Sequence, residues 1–119
     1  MNQISFRLPA FAKINWFLKI LGKREDNYHE ICTAFQTVSL ADYLTFTADD
    51  DLFLTCSDET IPTDEKNLII QAANILREKF EIKNGAKIHL EKNIPSPGGL
   101  GGGSSDCAIA ILGLLKLWN

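Results

Sequence analysis

The sequence predicts an α+β fold, a mixed β-sheet packed with helices, and three observations predict it. Short stretches alternating polar and apolar residues fill much of positions 4–56 and return at 86–92. Two stretches of helical character follow, one after Asp64 and one near Ser105. A composition of 45% hydrophobic and 23% charged residues gives the chain enough apolar surface to build a core instead of staying disordered.

The elements follow in order. Ile4-Ser5-Phe6-Arg7-Leu8 alternates as a half-buried strand that Pro9 is expected to limit. Ala12 to Leu21 forms a second strand, with Ile14, Trp16, Leu18 and Ile20 on one face and Lys13, Asn15, Phe17 and Lys19 on the other. Residues 22–27 are a polar turn, Tyr28 to Leu40 is an extended segment, and Ala41-Asp42 is expected to break it. Tyr43–Thr47 and Leu52–Cys56 flank the acidic Asp49-Asp50-Asp51 turn and are expected to pair across it. Asp64 is the candidate cap of a helix whose apolar stripe is Leu68, Ile69, Ala72, Ala73, Leu76 and Phe80. A strand with Ala86, Ile88 and Leu90 inward and His89 at the surface comes next. A glycine-rich stretch then leads into an apolar helix from about Ser105, with Leu112, Leu114 and Leu115 as packing residues, as Trp16 and Phe17 are earlier. The chain stops at Trp118-Asn119 within that helical pattern. Residues 1–119 are therefore expected to be one lobe, the N-terminal part of a longer protein.

Several function classes are disfavoured. The longest apolar run, Cys107 to Leu115, is far shorter than the ~20 residues that span a bilayer. Arg7 and Lys13 interrupt the N-terminal apolar stretch, so no secretory signal and no membrane partner is expected. Cys32, Cys56 and Cys107 are odd in number and dispersed, which argues against a disulfide framework or a zinc site and for a reducing cytoplasm. Residues 1–40 carry a net +2, residues 41–66 a net −7 and residues 67–119 a net +2. The acidic middle, read as a solvated loop or hairpin edge, is poorly suited to a nucleic-acid backbone. The basic flanks suit an anionic small molecule.

Pro95-Ser96-Pro97-Gly98-Gly99-Leu100-Gly101-Gly102-Gly103-Ser104-Ser105-Asp106 carries the chemistry. Glycines let the backbone turn tightly and approach a ligand, and successive N–H groups then converge on an anion. The first turn of the following helix adds free donors and the positive end of its dipole, which together favour a phosphate. Ser104 and Ser105 add hydroxyls for the cap and for phosphate. The Walker pattern fails because Ser104 stands where its lysine is needed, and the dinucleotide pattern GxGxxG fails at the same residue.

This stretch resembles the central ATP-binding motif of the galactokinase–homoserine kinase–mevalonate kinase (GHMP kinase) superfamily. Within it the resemblance narrows to the 4-diphosphocytidyl-2-C-methyl-D-erythritol kinases, through Ala12-Lys13-Ile14-Asn15, Gly22-Lys23-Arg24, Tyr28-His29 and Asn67-Leu68-Ile69 in order. The implied fold is the superfamily's N-terminal lobe, similar to the second domain of a ribosomal small-subunit protein. The implied reaction moves the γ-phosphate of ATP to the C2 hydroxyl of a cytidine diphosphate-linked methylerythritol, in isoprenoid precursor synthesis, with Mg²⁺ implied by ATP use in general.

The resemblance assigns Lys13 as the catalytic lysine and Asn15, Tyr28 and His29 as substrate-binding residues. It assigns Asn67, Lys92, Pro95, Gly98, Gly99, Leu100, Gly101, Gly102, Gly103, Ser104 and Ser105 to ATP. Asp106, a tempting base, is read as serving the helix dipole, because the family's catalytic aspartate lies downstream of these 119 residues; the chain alone is expected to be inactive. Asn27 and Pro97 stand where the family has glycine, and Pro97 fixes φ and removes one N–H donor. Two other readings compete: another small-molecule kinase of the superfamily, of homoserine or mevalonate type, and a non-catalytic nucleotide- or RNA-binding module. Nothing in the sequence fixes the oligomeric state.

Overall fold

The structure, a computed structural model, describes residues 4–23, 25, 29–95 and 101–119; the side chains of 15–21, 23 and 29–35 lie outside that description. Four strands, β1 (Ser5–Lys23), β2 (His29–Asp49), β3 (Leu52–Cys56) and β4 (Gly85–Glu91), form one mixed sheet in the order β1-β2-β4-β3. Helices α1 (Leu68–Lys79) and α2 (Gly102–Leu117) contribute to one shared core with it. The α+β expectation holds.

The first two expected strands are a single strand. Pro9 does not end it, because β1 is a sheet edge where the N–H that proline lacks need not enter a ladder. The irregularity falls later, as register shifts against β2 between Phe11 and Lys13, Asn15 and Phe17, and Ile20 and Gly22. Ala41-Asp42 likewise does not break β2, which runs through both residues.

The expected hairpin partner is corrected as well. β3 does not pair with β2; β4 lies between them, antiparallel to β2 and parallel to β3. The acidic turn spans that gap, and Ala86 N donates to Asp51 O at 3.0 Å across it. A Cβ on Gly85 would overlap the Asp51 backbone, so the crossing closes only around a glycine.

The alternation in β4 holds, with Ala86, Ile88 and Leu90 buried against Leu44 and Phe46 of β2 and His89 exposed. α1 buries Ile69, Ile70 and Ala73, but Leu68 and Phe80 point to solvent, which narrows the expected stripe. α2 buries Ala110, Gly113 and Leu114 while Leu112 and Leu115 are exposed, a correction to their packing role. Gly113 is where α2 meets the sheet, since any Cβ there would overlap the Phe46 ring. Among the described residues no helix is long and apolar enough to cross a membrane.

Candidate functional site

Both helix starts border one cleft of about 360 Å³, lined among others by Asp58, Lys66, Asn67, Lys92, Gly103 and Asp106. The start of α1 is not at Asp64. Asp64 holds the preceding turn, accepting from Lys66 N at 3.0 Å, and Asn67 is the cap, its Oδ1 accepting from Ile69 N at 2.8 Å. Asn67 Nδ2 also donates to Pro62 O at 2.8 Å, which leaves the second N–H of this cleft-wall amide unbonded among the described residues.

α2 begins at Gly102, three residues earlier than expected, behind Gly101 in the left-handed region at φ 71°. Among the described residues no side chain caps it. Its glycines divide the work by position. At Gly101 a Cβ would sit 3.0 Å from Lys13 Cε, so the Lys13 side chain runs alongside the bend. At Gly102 a Cβ would meet Lys92 Nζ at 2.9 Å and Ile94 Cγ2 at 3.0 Å, so the missing side chain lets α2 settle onto the sheet. At Gly103, exposed and part of the cleft wall, a Cβ would meet none of the described residues within 4 Å. That open space beside uncapped N–H groups fits an anionic group of a nucleotide.

Beneath the bend lies a buried charge cluster. Lys92 Nζ donates to Asp42 Oδ2 at 2.6 Å and to Asp106 Oδ2 at 3.0 Å, with at most 5% of any of the three side chains exposed. Asp42 Oδ1 accepts from Asn93 N at 2.6 Å and Ile94 N at 2.8 Å, pinning the segment that leads from β4 toward the glycines. Burial pushes the Asp42 pKa up, but hydrogen bonds from Asp106, Lys92 and the two backbone N–H groups outweigh it and hold the group below the ordinary aspartate value. Asp106 goes the other way: burial, reinforced by neighbouring Asp42 and only partly opposed by Lys92, pushes it up to about 7. Burial disfavours the Lys92 charge, yet its two carboxylate partners raise the pKa overall.

The structure thus brings together Lys13, Asn67, Lys92, Gly101, Gly102, Gly103, Ser104 and Ser105 around the cleft and the start of α2. Ser105 N returns into the helix, donating to Gly101 O at 2.9 Å. Lys92 reaches the cleft wall with its ammonium committed to two carboxylates beneath the bend. Pro95 is exposed at the edge of the description. Tyr28, Gly98, Gly99, Leu100, Asn27 and Pro97 lie outside the described residues, as do the side chains of Asn15 and His29, whose backbones sit in β1 and β2 opposite Phe35 and Lys23. Asp106 is not a first-turn dipole residue, since it is buried in the second turn and bound to Lys92. Asp42 was missed, although its signal was present: Asp42, Leu44 and Phe46 share one strand face, and a carboxylate in line with two core residues requires a buried cation.

The fold and this glycine-led helix start are those of the GHMP kinase class: the family's "GHMP kinases N terminal domain" matches residues 67–119 of this chain. Its similarity is to a particular member. The 4-diphosphocytidyl-2-C-methyl-D-erythritol kinase of Thermoanaerobacter pseudethanolicus is 46% identical over 113 residues, covering 95% of this chain and 39% of the relative. The enzyme of the same name from Bacillus thuringiensis is 46% identical over 121 residues, covering 100% and 41%. A crystal structure of 4-(cytidine 5′-diphospho)-2C-methyl-D-erythritol kinase superposes with a TM-score of 0.80 at 39% identity, covering 95% of this chain and 41% of that one. The Methanococcus jannaschii mevalonate kinase shares the fold, with a TM-score of 0.69 at 14% identity, covering 99% and 41%. The chain spans about two fifths of the length of the curated relatives it matches.

Proposed function

We propose that this chain supplies the ATP-binding part of a kinase that phosphorylates the C2 hydroxyl of a cytidine diphosphate-linked methylerythritol. The observation that carries the reading is Lys13 lying against Gly101, which sets an ammonium-bearing side chain beside an uncapped helix start. Phosphoryl transfer requires mainly positioning and charge neutralisation, and these groups can supply both. The N–H groups of Gly102, Gly103 and Ser104, with the Ser104 hydroxyl, hold phosphate oxygens. The Lys13 ammonium faces the transferred group and the acceptor hydroxyl, favouring its deprotonated form. Asn67 and the cleft wall face the base of the nucleotide. Asn15, Tyr28 and His29 are assigned to the acceptor, since a ring and an imidazole can stack on and hydrogen-bond a pyrimidine. Mg²⁺ bound with ATP would neutralise charge between the outer phosphates; no residue of this chain is assigned to it.

The test is a coupled assay of ADP release by the intact protein with the cytidine diphosphate-linked alcohol, homoserine and mevalonate offered separately. Turnover with the first alcohol alone is expected, and phosphorylation of homoserine alone would defeat the reading. In the same assay Lys13→Ala should lower kcat by roughly two to three orders of magnitude, the range for losing one charge-stabilising group, with a much smaller change in ATP KM. Equal losses in both would make Lys13 a binding residue instead.

A further inference from the structure

The charge cluster does more than fill the space under the bend. Asp42 receives three donors, from Lys92 Nζ and the backbone of Asn93 and Ile94, and is satisfied as an anion. Asp106 is not. Its Oδ2 receives Lys92, but its Oδ1 is buried and finds no partner among the described residues. A carboxylate oxygen without a donor in a dry site is costly, whereas a protonated carboxyl carries no charge to solvate, and Asp42 stands beside it on the shared Lys92 ammonium. Charge gives the same answer. One cation facing two anions leaves a buried excess of one negative charge, and a proton on Asp106 removes it.

We propose that Asp106 is a positioning residue for the glycine bend and acts as an uncharged acid: Asp42, Lys92 and Asp106 form a clamp that holds one proton and ties the start of α2 to β2 and to the end of β4. Gly102 seats directly on this clamp, with no room for a side chain between it and Lys92 Nζ. When the proton leaves, an uncompensated negative charge appears one helical turn below the donors of Gly102, Gly103 and Ser104, where it opposes a phosphate and loosens the contact between helix and strand. The raised pKa of Asp106 sets this change near neutrality. Among the described residues the other ionisable groups around this corner are Lys13 of β1, Cys56 of β3, Asp58 and Lys66 on the cleft wall, and Cys107 on α2. Burial raises both cysteine pKa values, so neither thiol supplies a competing charge near neutrality.

The nucleotide half of this inference rests on the proposed ATP site, so the experiment reads the proton separately from the ligand. A ¹³C-carboxyl NMR titration of the unliganded wild-type protein should place the Asp106 midpoint near 7; a midpoint in the ordinary carboxylate range would overturn the proposal. Calorimetric titration of ATP at pH 6 and 8 should show Kd rising about tenfold relative to Asp106→Asn, the ratio cancelling the titration of the nucleotide itself. Asp106→Asn mimics the neutral acid and should bind with a flat relative profile, while Asp106→Ala should bind more weakly at both pH values. Equal pH profiles for wild type and Asp106→Asn would also overturn it. If ATP binds at no pH, the kinase reading falls and melting decides the clamp. Asp106 has its pKa raised on folding, so the stability it adds is complete below its unfolded value and is lost as pH rises to about 7. The wild-type melting temperature should therefore fall from about pH 4 to 7 relative to Asp106→Asn and then level off; parallel curves would count against the clamp.

Discussion

The two helices begin on the same cleft and treat their first N–H groups in opposite ways. At α1 the Asn67 side chain turns back on Ile69 N, so the cap is satisfied from within the chain. At α2 Gly101 turns the backbone through the left-handed region and offers no side chain, leaving the donors of the first turn without a side-chain acceptor among the described residues. Neither helix carries an acidic residue in its first turn. The difference therefore lies in one residue at each N-cap, asparagine against glycine. A self-capped start contributes stability. An uncapped one beside open space forgoes that contribution and is left able to hold an anion.

The largest effect should come from forcing a side chain into the open start. Gly101→Val places a β-branched residue at φ 71° and its Cβ 3.0 Å from Lys13 Cε. The backbone strain alone is worth about 1–2 kcal/mol, and displacement of Lys13 adds to it. Calorimetric titration should find ATP binding lost, with melting several degrees lower. Unchanged affinity would show that the α2 start does not hold the nucleotide.

How far the sequence reveals this contrast depends on which force decides each feature. The inward face of β4 follows from alternation, because burial on one side of a sheet is a two-residue rule; Ala86, Ile88 and Leu90 obey it. The glycine bend was legible for a similar reason, since five glycines in six positions have few uses that side chains could share. The placement of β3 was not legible. Local pairing across Asp49-Asp50-Asp51 is what adjacency suggests, and insertion of β4 is a long-range outcome fixed by packing of Leu54 and Ile88 in a common core. The caps were shifted by three residues at each helix for one shared reason. Asp64 and Ser104 are both good capping types, but asparagine caps equally well and a left-handed glycine can stand in for serine, and the contacts to Pro62 and Lys13 choose. The Asp42–Lys92–Asp106 cluster joins residues 50 and 14 positions apart. Spacing is silent about such a group, although the buried strand face of Asp42 announces that a partner exists.

A smaller effect separates binding from stability. Gly103→Ala adds a Cβ into space with no neighbour among the described residues within 4 Å, in the first turn of a helix where alanine is preferred over glycine. Melting should stay level or rise, by an amount on the order of 0.5 kcal/mol. ATP affinity should nevertheless drop about tenfold, equivalent to ~1.4 kcal/mol, because the methyl takes the place of a phosphate oxygen. Stability and affinity moving in the same direction would remove the distinction drawn between this helix start and that of α1.

The smallest effect belongs to the self-capped side. Asn67→Ala removes the acceptor for Ile69 N and the donor to Pro62 O, both at 2.8 Å, and should lower stability by about 1 kcal/mol. Asn67→Asp keeps the acceptor, adds a negative charge at the positive end of α1 and loses only the donor, so it should recover most of the melting temperature. The pair then isolates the remaining N–H of Asn67. If that N–H meets the nucleotide base, Asn67→Asp binds ATP as weakly as Asn67→Ala despite its restored stability. If ATP affinity instead follows melting through both variants, Asn67 serves the helix alone, and the base is recognised by the rest of the cleft wall.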